Sequence, residues 1–196
     1  MTLTQPQQAR HERMLNATAR LASEGGYDAV QMREVATEAD VALGTLYRYF
    51  PSKEHLLVSA MLRQIEGLHD RLTVSPAEGA DAVDRVIDVL ARANRALQRQ
   101  QKFTVAVVRS LASGDASVAP VVREVRDLMG GIILAAIGAE SPSARDQLVS
   151  EILQEVWLSS LVSWISGVEP ASSVDRKLEA AAKLLLFQGE VSRVDD

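Results

Sequence analysis

The run from Leu43 to Lys53 reads Leu-Gly-Thr-Leu-Tyr-Arg-Tyr-Phe-Pro-Ser-Lys and concentrates Gly44, Thr45, Tyr47 and Arg48 in one short stretch. At about 100° per residue, Leu46 and Phe50 share one side of a helix and Gly44 with Arg48 lies opposite. Thr45 and Tyr47 flank that outer side, and Tyr49 sits nearer the inward edge. Such a helix is poorly made for stability, since an interior glycine costs about 1 kcal/mol relative to alanine. The set is well made for a polyanion with readable edges. Glycine lets a backbone approach a surface closely. Thr and Arg hydrogen-bond base edges in a major groove, and tyrosine hydroxyls reach phosphates. Arg33 and Lys53 fall near the starts of two helices, where a cation costs a few tenths of a kcal/mol. A phosphate docked at those helix starts reverses the sign.

Catalytic chemistry finds no comparable support. The chain has no cysteine, which excludes a disulfide framework, a thiol nucleophile and cysteine-ligated zinc. It contains no Gly-x-Ser-x-Gly elbow, no glycine-rich phosphate loop and no His-Glu-x-x-His. His11, His55 and His69 are far apart in sequence. Glu66 and His69 make one turn-spaced pair, where a carboxylate-bridged metal site needs such a pair from each of two helices. No catalytic residue, no metal site and no cofactor is expected, and an enzyme is disfavoured.

The 196 residues carry a net charge of −5, unevenly placed. Residues 1–53 hold six basic side chains (Arg10, Arg13, Arg20, Arg33, Arg48, Lys53) against six acidic ones (Glu12, Glu24, Asp28, Glu34, Glu38, Asp40). The negative balance therefore belongs to the rest of the chain. No apolar run approaches the roughly 20 residues of a membrane span, and the N-terminus lacks a secretory signature. Cytoplasmic residence without membrane attachment is expected.

The elements that must position the outer face of 43–49 are helical. Apolar periodicity predicts helices at 7–24, 32–39, 43–49, 53–72, 81–100, 102–113, 117–138, 143–167 and 172–188. The fold class is all-α: a three-helix N-terminal domain over 1–53 and a helical bundle over 54–196. Gln31 stands at the cap of the second helix, with Glu34 as the returning half of a capping box and Val30 with Val35 as a hydrophobic staple. Asp40 suits a tight left-handed turn, Pro51 stops the short helix, and Ser52 caps the next. Two short helices, a three-residue turn and a long support form a helix-turn-helix.

The segment VQMREVATEADVALGTLYRYFPSKEHLL (residues 30–57) resembles the DNA-binding region of the TetR family of one-component transcriptional regulators. The resemblance implies a homodimer on a palindromic operator, relieved by a hydrophobic small-molecule effector. Carried over position by position, it implies DNA contacts at Gln31, Arg33, Leu43, Gly44, Thr45, Tyr47, Arg48, Tyr49 and Lys53. Three positions depart from the family pattern: Asp40 where the turn has Gly, Ala42 where the recognition helix has a Ser cap, and Gln31 where helix two has Thr. Loss of the Ser cap costs about 1 kcal/mol locally. Three segments, SEGGYDAVQMREVATEADVALGTLYRYFPSKEHLLVSA, NRALQR and VWLSSLVSWIS, are similar to the actinobacterial repressors of cholesterol catabolism. That likeness implies a steroid acyl-CoA thioester as effector.

The eighth helix is apolar nearly all round, from Ile152 to Ile165, and so must be covered on more than one side. The ninth repeats the theme with Leu178, Leu184, Leu185, Leu186 and Phe187. Packing both against a second copy places Leu161, Ile165, Leu178 and Leu185 at an isologous interface. Trp157 and Trp164 share one side of the eighth helix, as core or as the wall of an apolar ligand site, for which Phe103 and Met129 are further candidates. Arg92, Arg95, Arg99 and Lys102 form a basic stripe, either a solvated face or the dock for a ligand's anionic end. A constitutive DNA-binding protein without effector, or a regulator of a different hydrophobic ligand, is the rival reading.

Overall fold

A computed structural model describes residues 4–186; the expected helical residues Phe187 and Gln188 lie outside them. Among the described residues there are nine helices and no strand: α1 (Gln5–Ala29), α2 (Met32–Glu38), α3 (Leu43–Tyr49), α4 (Lys53–Val74), α5 (Ala82–Arg99), α6 (Gln101–Leu111), α7 (Val118–Ile137), α8 (Ala144–Ile165) and α9 (Ser172–Leu186). The expected boundaries within the described residues hold within two residues except at α1. That helix runs past its expected end at 24 and carries a kink at Gly26, whose φ is 73°. Glycine takes that left-handed value without a Cβ penalty, so the helical segment resumes to Ala29 instead of stopping.

The chain divides into two compact units, one of residues up to Arg71 with Arg95–Leu128, the other of Leu72–Asn94 with residues from Met129 onward. The first unit therefore takes in more than the 1–53 expected for the helix-turn-helix. Its core joins Met14, Leu15, Val30, Val35, Leu46, Phe50, Leu56 and Leu57 to Phe103, Ala106 and Val107 of α6. Helix α1 packs on α6 and on α2, and α2 packs on α3. A three-helix fragment alone would leave the α6 side of this core in water.

In the second unit α8 packs on α9. Leu153, Trp157 and Leu161 of α8 and Val174, Leu178 and Ala182 of α9 are buried. Asn94, fully buried on α5, accepts from Trp157 Nε1 at 3.4 Å and donates to Asp175 Oδ1 at 2.6 Å. Ser143 and Asp146 close a capping box at the start of α8, with Asp146 N–H to Ser143 Oγ at 3.2 Å and Ser143 N–H to Asp146 Oδ2 at 2.9 Å. The Ser143 hydroxyl, at 2.7 Å, and the Ser143 N–H both donate to Asp146 Oδ2 and hold that carboxyl below its ordinary pKa.

Candidate nucleic-acid interface

Helix α3 is held from below and open above. Leu46 and Phe50 are buried against Leu56, Leu57 and Val35. Gly44, Tyr47 and Arg48 are exposed, Tyr47 by 48%, and Thr45 is half-buried. Leu43 and Tyr49 are half-buried and pack on the core as well, so each has a supporting role beside any contact with DNA. The His11 ring lies 5.9 Å from Tyr49 and 5.1 Å from Phe50, and His55 lies 5.9 Å from Phe50.

The turn before α3 has Asp40 at φ 53°, the left-handed conformation expected for it. Ala42 caps α3 with no side-chain hydrogen bond, as expected of a cap that lacks a hydroxyl. The capping box expected at α2 does not form. Gln31 makes no side-chain cap bond, and its own N–H is already donated to the Ala29 carbonyl at 3.1 Å. The kinked end of α1 thus supplies the acceptor that Glu34 was expected to supply. Val30 and Val35, the expected staple, are both fully buried. Gln31 and Arg33 are exposed at the start of α2.

Ser52 caps α4, its Oγ accepting from His55 N–H at 3.1 Å. It also lies 3.1 Å from Ser117 Oγ, and a hydrogen bond from Ser52 lowers the Asp115 carboxyl pKa. The adjacent Lys53 is not fully free. Its ammonium stands 3.7 Å from the centroid of the Tyr27 ring and 3.5 Å from the Tyr27 carbonyl.

Gly44 gives a direct test of why a helix this short carries a glycine. A Cβ built there meets nothing within 4 Å. Gly44→Ala is therefore expected to leave stability unchanged or raise it by up to about 1 kcal/mol, while weakening operator binding because the methyl group keeps α3 off the DNA. Thermal unfolding and a DNA-binding isotherm on the same preparation check both halves.

The residues expected to meet an effector fall in both units. Trp157 is 8% exposed, Met129 is buried and Trp164 is half-buried, all in the second unit. Phe103 is fully buried in the core of the first unit beside α1, so it acts there as packing. The basic stripe is also divided in its duties. Arg92 donates to the carbonyls of Ser75 at 2.9 Å and Pro76 at 3.3 Å and pairs with Asp88 at 2.7 Å. Lys102 donates to the Glu24 carbonyl at 2.7 Å. Arg95 and Arg99 are exposed.

The interface residues are likewise re-sorted. Leu161 and Leu178, expected at a surface between copies, are buried within the single chain. Ile165 and Leu185 are half-buried. Leu158, Val162 and Leu184 are the large apolar side chains that α8 and α9 leave exposed beyond Leu148. Periodicity could not separate these sides, because an α8 apolar all round has no preferred face.

Among the described residues no group of His, Asp and Glu could hold a metal ion, and no helix is long and apolar enough to cross a membrane. A short helix with an exposed outer face, seated on the helical core of the first unit and with cations at the flanking helix starts, defines a helix-turn-helix DNA-binding regulator.

Comparison with known proteins specifies the class further. Residues 14–60 match the family of bacterial regulatory proteins of the tetR type, and residues 79–185 match the tetracyclin repressor-like C-terminal domain. The chain belongs to the TetR family of transcriptional regulators. It is 43% identical to the HTH-type transcriptional repressor KstR of Rhodococcus jostii over 93% of this chain and 85% of that one. The crystal structure of a TetR transcriptional regulator from Rhodococcus superposes with a TM-score of 0.86 at 35% identity, covering 94% of this chain and 99% of that one. FadR of Thermus thermophilus, solved in complex with lauroyl-CoA, shares the fold at a TM-score of 0.72 and 18% identity, over 95% of this chain and 100% of that one. The protein is a transcriptional repressor of the TetR type and not an enzyme.

Proposed function

We propose that residues 1–53 bind a palindromic operator, that residues 54–196 dimerise the chain and bind an effector, and that the effector is a steroid acyl-CoA thioester. The observation that carries the operator reading is the outer face of α3, with Gly44, Tyr47 and Arg48 exposed while Leu46 and Phe50 anchor it. Gln31, Arg33 and Thr45 add base or phosphate contacts at the same surface. Leu43 and Tyr49 contribute through the parts of their side chains not packed on the core. The homodimer is supported by Leu158, Val162 and Leu184, with Ile165 and Leu185 at its edge. The repressor works in the cytoplasm, where its operator is.

The steroid reading rests on likeness to the KstR repressors over most of the chain. Trp157, Trp164 and Met129, all in the second unit, supply apolar surface for fused rings. The ligand must bind the DNA-incompetent state better than the competent one. A coupling of about 1–3 kcal/mol gives roughly 5–150-fold release.

The test titrates the protein–operator complex with a steroid acyl-CoA, the free steroid acid and a long-chain fatty acyl-CoA. Release by the steroid thioester, with quenched or shifted tryptophan fluorescence, is the expected result. Release by the fatty acyl-CoA instead moves the effector class to straight chains. Binding of the operator unaffected by all three makes the repressor constitutive toward acyl-CoA.

A further inference from the structure

A cluster outside the helix-turn-helix gathers cations beside Lys53. The Arg109 guanidinium, on the last turn of α6, stands 4.0 Å from the centroid of the same Tyr27 ring that Lys53 approaches at 3.7 Å. Since neither is farther than 4.0 Å from one point, the two cations cannot be separated by more than twice that distance. The ring's negative face attracts each of them, but they repel one another. Two carboxylates accompany them. Glu54 accepts a hydrogen bond from the Tyr27 hydroxyl, which raises the pKa of that hydroxyl. Asp28 pairs with Arg109 at 3.6 Å, with the aspartate side chain 87% exposed and the arginine 58%. An exposed pair of that length is weak and screened by salt.

The planar guanidinium carries five N–H donors. With 58% of the Arg109 side chain exposed, that fork is accessible beside the ammonium at the start of α4. We propose that Arg109 is a further phosphate contact, supplied by α6 and outside the helix-turn-helix, with the Tyr27 ring positioning Arg109 and Lys53 together for the DNA backbone. A backbone phosphate at this place relieves the repulsion between the cations and meets a fork geometry that guanidinium matches. Asp28 stands in for that phosphate in the free protein. This inference rests on the operator-binding reading above.

The experiment measures operator affinity against salt concentration for wild type, Arg109→Gln, Asp28→Asn and Tyr27→Leu. Each phosphate contact contributes about 0.9 to the slope of log affinity against log salt, so Arg109→Gln should lower the slope by about 2 for a dimer. It should weaken binding to specific and non-specific DNA alike. Asp28→Asn should tighten binding, because the competing carboxylate is gone. Tyr27→Leu should lower the slope as well, with a circular dichroism spectrum like that of wild type. A wild-type slope in Arg109→Gln overturns the proposal, leaving Arg109 as a structural partner of Tyr27. Wild-type protein that binds no DNA sequence preferentially overturns the operator reading itself, and is distinguished by the wild-type isotherm alone.

Discussion

Phe50→Ala is expected to cost about 3–5 kcal/mol of stability and to abolish operator binding near physiological temperature. Phe50 is buried with Leu46, Leu56 and Leu57, and it ends α3 with its ring against His11 and His55. Its removal leaves a cavity under the helix that must stay rigid to present Tyr47 and Arg48. By contrast, Tyr47→Ala removes an exposed side chain and should change stability by no more than about 0.5 kcal/mol, yet it too should weaken DNA binding. Urea unfolding followed by circular dichroism, with operator binding measured on the same samples, separates the two. A Phe50→Ala loss below about 1 kcal/mol would contradict this packing.

The same ring cluster sets a pH dependence. Burial holds the His11 imidazole below its ordinary pKa against the attraction of Glu12, and holds His55 low against Asp115 and Glu124. Both therefore give up their protons more readily in the fold, while the unfolded chain takes up their protons near pH 6.5. Stability should be fully present above about 6.5 and fall as the pH drops through the lower folded-state values. Urea midpoints at pH 7.5 and 5.5 check the sign.

The pair Leu158→Glu with Val162→Glu is expected to dissociate the dimer. Each carboxylate enters an isologous interface twice, and burying an unpaired one costs several kcal/mol. Dimer affinity should drop by more than about a thousand-fold, equivalent to roughly 4 kcal/mol. Both side chains are exposed in the single chain, so the protomer should keep its helices. Leu178→Glu, at a buried site on α9, should unfold the unit instead. Sedimentation at micromolar concentration distinguishes monomer, dimer and aggregate. Operator binding should fall with the dimer, because one helix-turn-helix makes few contacts. A stable dimer of the double variant places the interface elsewhere.

The recognition helix was legible in the sequence because its determinants are local. The bounds 43–49, the inward Leu46 and Phe50, the left-handed Asp40, the missing cap at Ala42 and the Ser52 cap each follow from residues within a turn or two of one another. The fold class followed for the same reason, since helical periodicity is written every three or four residues. What escaped was decided by partners distant in sequence. The exception is local: the acceptor that replaces the α2 capping box is the Ala29 carbonyl, two residues before Gln31, placed there by the kink at Gly26. Arg92 and Lys102 spend their donors on backbone carbonyls of Ser75, Pro76 and Glu24, which no stripe on a helical wheel reveals. Phe103 is drawn into the core beside α1, and Arg109 meets Tyr27 across a long stretch of chain. Helix α8 shows the limit most plainly. Its sequence determines that it is helical and must be covered, but an all-round apolar surface has no direction. Tertiary packing took Leu161 as interior and left Leu158 and Val162 outward, because burial is settled by which surfaces meet and not by which residues are apolar.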